Sequence, residues 1–123
     1  MSVVQRPPIT VVETSRFLKD ADRLMPEPDR AQLVDFIAAS PEAGDVIAGT
    51  NGVRKLRWAL AGSGKRGGAR VIYYFHSWAF PVFLLAAYGK NEKANLTNAE
   101  RNAISKLVPA LVAGYAANRG RRL

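Results

Sequence analysis

The segment Val53-Arg54-Lys55-Leu56-Arg57-Trp58 interleaves three cations with apolar residues at the two-residue period of a β-strand. That period puts Val53, Lys55 and Arg57 on one face and Arg54, Leu56 and Trp58 on the other. Leu56 and Trp58 are natural core residues, so Lys55 and Arg57 are expected to project from an opposite, open face. Arg70 opens the next β-branched stretch, and Tyr88 and Lys90 share a face at the end of a third. Cations gathered on one sheet face repel one another. Structure alone does not need them there; a polyanionic ligand explains them. The chemistry on offer is a phosphate clamp, in which guanidinium groups make bidentate, charge-assisted hydrogen bonds. The register is then constrained. Arg57 and Arg70 share a face only if opposed residues have an odd index sum, as with Leu60 opposite Gly67, and Arg70 and Tyr88 need an even sum across the next hairpin.

Other chemistries find less support. Gly62-Ser63-Gly64-Lys65-Arg66-Gly67 satisfies G-x-G-x-x-G, but a strand follows it where a dinucleotide fingerprint needs a helix. Arg66 stands where a P-loop needs Ser or Thr. The segment reads as a hairpin loop whose Lys65 and Arg66 can touch phosphate. His76 is the single histidine, which excludes a two-histidine mechanism, and its turn position suits a surface residue. With no cysteine and no His/Asp/Glu cluster, no metal ligand set is expected and no cofactor is implied.

Charge points the same way. Eighteen Lys and Arg against ten Asp and Glu leave a net charge of +8 over 123 residues, which favours encounter with polyanions. The asymmetry is stronger still, because from Asn51 onward the only acids are Glu92 and Glu100. The length fits one domain, residues 1–123, with a core over about 9–112 and a basic tail at 118–123. Trp78 to Tyr88, the longest nearly apolar run, contains Pro81 and is too short to span a bilayer, and the N-terminus lacks signal-peptide features. A cytoplasmic location without membrane contact is the expectation.

These residues must be positioned by an α+β fold. Residues 8–13 predict a first strand. Thr14 or Ser15 caps a helix that Pro26 stops, and a second helix runs from near Pro28 to Ser40-Pro41. Residues 42–52 read as a loop. Strands are expected at 53–60, 69–75 and 82–88, and their short links imply antiparallel hairpins. Thr97-Asn98-Ala99-Glu100 forms a capping box for a C-terminal helix, which Pro109 should kink or split. The order is β-α-α-β-β-β-α.

Several blocks, in order and sensibly spaced over about residues 9–112, resemble the RelE/HigB toxins of type II toxin–antitoxin systems, most closely the HigB-like branch. They are Gly44-Asp45-Val46-Ile47, Gly52 to Ala59, Gly67 to Tyr74, Tyr88 to Lys93, and Leu96-Thr97. The resemblance implies a mainly antiparallel sheet with a helical hairpin packed on one face. It implies ribosome-dependent, metal-independent mRNA cleavage, hence translation inhibition, and neutralisation by a cognate antitoxin. The implied partners are ribosome, mRNA and antitoxin, with DNA reached only through the antitoxin complex. Lys55 and Arg57 match the family's basic pair, Arg70 the arginine opening the next strand, and Lys90 and Lys93 the cluster after the last strand. RelE has a tyrosine near its C-terminus that stacks on a base; here no tyrosine stands at the equivalent place after Lys93, and Tyr88 is the candidate substitute. Cleavage by a ribose 2′-OH needs a base, charge stabilisation and an acid. Those roles fall to Lys55, to Arg57 with Arg70, and to Lys90 or Lys93, while Arg54, Lys65 and Arg66 bind RNA. Two alternatives stay open: a non-enzymatic toxin of the same fold that binds DNA gyrase, and a plain RNA- or DNA-binding module.

Overall fold

Local sequence decides the first turns of the chain. Thr14 ends strand β1 (Val11–Glu13) and caps helix α1 (Ser15–Leu24), its hydroxyl accepting from Phe17 N at 3.3 Å and donating to Leu84 O at 2.7 Å. One side chain thus satisfies an orphan helix donor and ties the junction to a distant strand. Pro26 separates α1 from helix α2 (Glu27–Ala39), in which Pro28 occupies the first turn. The two helices bury Phe17, Ala21, Leu33 and Ile37 against one face of the sheet, with Ala69, Val71, Tyr73, Val82 and Leu84. Each large side chain buried there contributes about 1.5–3 kcal/mol.

A computed structural model describes residues 6–60 and 68–120. After α2 come β2 (Asp45–Val46), β3 (Val53–Ala59), β4 (Gly68–Tyr74), β5 (Val82–Gly89) and helix α3 (Asn98–Gly120). The sheet order is β1-β5-β4-β3-β2; β1 pairs with β5 in parallel and the other pairs are antiparallel. The α+β class, the helical hairpin on one face and the C-terminal helix all agree with the sequence expectation.

Three features differ from that expectation. First, residues 42–52 are not all loop, since Asp45 and Val46 pair with Lys55 and Arg54. The cause is long-range: Gly44 N donates to Tyr73 Oη at 2.8 Å, Tyr73 donates to Pro41 O at 2.8 Å, and Arg54 Nη1 donates to Gly44 O at 2.8 Å. A Cβ on Gly44 would lie 2.8 Å from the Tyr73 hydroxyl, so glycine is what permits this approach. Two residues are too few to show an alternation pattern.

Second, Pro109 does not split α3. It lacks the N–H that would serve Ser105 O. Asn51 supplies one instead, its Nδ2 donating to Ser105 O at 3.1 Å and to Ser105 Oγ at 3.0 Å. Asn51 sits at φ 61°, in the left-handed region that Asn tolerates.

Third, the sheet face opposite the hairpin is partly covered. Ile104, Val108, Leu111, Val112 and Tyr115 of α3 pack on Val53, Ile72, Tyr74, Phe83 and Leu85. The basic residues occupy what α3 leaves uncovered.

Candidate phosphate-binding site

Arg57 lies directly opposite Arg70, and Arg70 directly opposite Tyr88, so the three form one row across β3, β4 and β5. Opposed residues share a face, with Cα atoms about 4.5–5.5 Å apart. Lys55 is on that face two residues from Arg57, opposite Asp45 on one side and Ile72 on the other. Both register requirements read from the sequence are met.

The second requirement is met through a bulge. Ile72 pairs with Ala86 but Tyr73 pairs with Leu84, leaving Leu85 without a partner. Consequently Leu85 and Ala86 both join the core beneath α3, Ala87 turns to the hairpin side, and Tyr88 returns to the α3 side. Strict alternation from Leu84 would have sent Tyr88 to the wrong face. The bulge re-aims it.

Arg57 is exposed, and Lys55 and Arg70 are half-buried. Among the described residues none of the three forms a salt bridge; the ion pairs there use Arg16, Arg23, Arg30 and Lys93. Lys55 Nζ donates to Asn95 Oδ1 at 3.2 Å. Opposed, unneutralised arginines at this spacing make a receptor for a doubly coordinated oxyanion.

Tyr88 is only 3% exposed, so its ring is not offered to a base as a stacking surface. Its buried hydroxyl has no hydrogen-bond partner among the described residues, and burial pushes its pKa upward, with Arg70 pulling down and Glu100 pushing up. The ring instead carries Lys93 Nζ, 5.0 Å from its centroid. Lys93 is also paired with Glu100, whose capping box is formed as expected: Thr97 N donates to Glu100 Oε1 at 2.9 Å and Glu100 N to Thr97 Oγ1 at 3.1 Å.

Not every candidate joins the row. Lys90 stands in the turn after β5 and lines a separate groove with Arg23, Leu24 and Leu60. Arg54 points to the hairpin side, where its Nη1 donates to Glu42 O at 3.0 Å as well as Gly44 O. Lys65 and Arg66 lie outside the described residues. Asn95 was not singled out from the sequence, where Glu100 was read as part of a capping box and Asp45 only as a member of a family block. Asn95 is 40 positions from Lys55 and nothing local marks it.

The segment after β5 is held by two carboxylates with depressed pKa values. Glu92 is lowered first by its bond from Gly89 N (2.7 Å) and then by Arg23; Glu100 is lowered first by Lys93 and then by Thr97 N. A depressed carboxylate contributes stability above its ordinary pKa, 4.5 here, that is lost as pH falls through the folded-state value. The amides of Gly89 and Thr97 should therefore stay protected at pH 5 and lose protection only below 4.5, while core strand amides hold. NMR amide exchange against pH checks this; loss of both protections already near pH 5 would contradict it.

Among the described residues no helix is long and apolar enough to cross a membrane, and no group of three or more His, Cys, Asp or Glu could hold a metal ion.

A mixed sheet between a helical hairpin and a C-terminal helix defines a small α+β protein, and its sheet carries a basic row that forms no salt bridge among the described residues, a candidate site for an oxyanion. Residues 32–118 match the family model described as the RelE toxin of the RelE / RelB toxin-antitoxin system, and the chain belongs to this family. The match takes in most of α2 and all that follows to residue 118; β1 and α1 precede it, yet β1 completes the sheet beside β5.

Proposed function

We propose that this chain is the toxin of a HigB-like pair and acts as a ribosome-dependent endoribonuclease that inhibits translation by cutting mRNA. The observation that carries the reading is the opposed Arg57–Arg70 pair with Lys55 beside it, none of them in a salt bridge among the described residues. A site built only for stability would place a carboxylate there, since like charges directly opposed destabilise a sheet.

In this reading the scissile phosphate sits between Arg57 and Arg70. Lys55 takes the proton from the ribose 2′-hydroxyl as that oxygen bonds to phosphorus. The phosphorus–O5′ bond breaks, leaving a 2′,3′-cyclic phosphate, and the 5′-oxygen takes a proton from an acid. Lys93 suits that last role better than Lys90, because the Tyr88 ring holds it beside the row. Arg57 and Arg70 stabilise the charge that grows on the equatorial oxygens. No step calls on a metal ion. Arg54 stays outside this reading because its guanidinium serves loop carbonyls, while Lys65 and Arg66 are assigned to general attraction of the RNA backbone. A cognate antitoxin would hold the protein inactive in the cytoplasm, where ribosomes and mRNA are found.

Translation with purified ribosomes tests the reading. Adding the protein should produce discrete cuts in mRNA on the ribosome, with 5′-hydroxyl downstream fragments, and none in naked mRNA. Stalled translation with intact mRNA, or DNA damage in cells without mRNA cuts, would overturn it.

A further inference from the structure

The basic row does not end at Arg57. Beyond it, toward the sheet edge, lies a groove of about 510 Å³ whose lining includes Asp45, Val46, Ile47, Lys55 and Arg57. Arg57 belongs to both the phosphate site and this groove, so a chain whose phosphate rests on Arg57 and Arg70 has its neighbouring nucleotide here. Ile47, partly buried on the α3 side, and the aliphatic stem of Lys55 offer apolar surface for a base.

Asp45 is the unexpected member. It lies directly opposite Lys55, yet the lysine ammonium turns to Asn95 instead. Among the described residues the Asp45 carboxylate forms no salt bridge and accepts no hydrogen bond. Beside a phosphate site, an acid that only repels backbone would weaken RNA binding. It is useful there only if it reads something that donates.

We propose that this groove is a nucleobase subsite in which the Asp45 carboxylate selects guanine; the inference rests on RNA being the ligand of the basic row. An ionised carboxylate accepts only. The Watson–Crick edge of guanine presents two adjacent donors, N1–H and N2–H₂, which match its two oxygens. Adenine and cytosine each set one amino donor beside a bare ring nitrogen that repels a carboxylate, and uracil flanks its one N–H with two carbonyls. Asn in place of Asp45 offers one acceptor and one donor, which matches adenine or cytosine.

The test is binding of 2′-O-methyl pentanucleotides, which cannot be cleaved by 2′-OH attack, with four uridines and one central G, A, C or U. Fluorescence anisotropy at fixed salt should show the parent favouring the G oligomer by about fivefold or more. Asp45→Asn should lose that preference, bind the all-uridine oligomer more tightly than the parent because a negative charge beside the phosphate is gone, and gain relative affinity for A or C. This variant is near-isosteric at an exposed side chain, and its circular dichroism and melting should match the parent. Equal affinity of the parent for all four would overturn the proposal and leave the groove to a polypeptide segment. An unchanged guanine preference in Asp45→Asn would also overturn it. The ribosomal cleavage assay separates the two readings. Guanine preference without cleavage removes the nuclease and keeps the subsite; cleavage with base-blind binding does the reverse.

Discussion

Arg70→Ala should cut single-turnover mRNA cleavage on saturated ribosomes by about 100-fold or more, roughly 2.7 kcal/mol of transition-state stabilisation. Arg70 occupies the middle of the row, opposite Arg57 on one side and Tyr88 on the other. Its guanidinium has no protein acceptor to lose among the described residues, so the substitution removes a ligand group without stranding a partner. Relief of the Arg57–Arg70 repulsion should leave the fold as stable as the parent or slightly more so, which separates loss of activity from loss of structure. Arg57→Ala should behave alike. Lys65→Ala, in the glycine-rich segment, should weaken binding and flatten its salt dependence yet scarcely slow cleavage once bound. Equal rates for Arg70→Ala, Arg57→Ala and the parent on saturated ribosomes would reduce the row to a docking surface.

The second large effect is on stability and begins at Asp20, which is buried although charged. Beyond the end of β1, strand β5 has no strand beside it on that side among the described residues, and the Ala87 N–H needs an acceptor. Asp20 Oδ2 reaches from α1 to accept it at 2.9 Å, while Arg16 Nε (3.3 Å) and Arg23 Nη1 (3.2 Å) hold the carboxylate. One side chain thus continues the edge where the strand stops. Asp20→Ala leaves a buried donor unsatisfied and removes a charge-assisted bond, a loss of about 2–3 kcal/mol. Urea unfolding should show a lower midpoint with an unchanged slope. Asp20→Asn, which keeps an acceptor, should lose less. A midpoint within error of the parent for Asp20→Ala would show that water replaces the carboxylate freely. Ala87 adjoins Tyr88, so faster exchange of strand amides there in Asp20→Ala would show that α1 also holds that end of the row.

Asp20 illustrates why a site built across a sheet is only partly legible in a chain. Period-two alternation put Lys55 and Arg57 on one face, because a strand needs only its own residues to define two sides. The capping box at Thr97–Glu100 and the cap at Thr14 were legible for the same reason: their partners lie three residues away. The net charge and its gathering after Asn51 required no fold at all. These local signals, with the ordered family blocks, determined the class of fold and pointed to a polyanion as the ligand.

Tertiary structure decided the rest. The alternation along β5 predicts a face for Tyr88 that the bulge at Leu85 reverses, and bulges follow from how two strands and two cores fit together. The edge strand at Asp45–Val46 exists because Tyr73 and Arg54 draw Gly44 in from 29 and 10 positions away. Helix α3 survives Pro109 because Asn51, 54 positions from Ser105, supplies the missing donor. Tyr88 became a buried support for Lys93, and Asp45 came to line a groove beside the basic row, through contacts that no window of sequence contains. Hydrogen bonds and packing depend on distance in space, whereas propensity and periodicity are read along the chain, so the residue types were legible early and their partners only after folding.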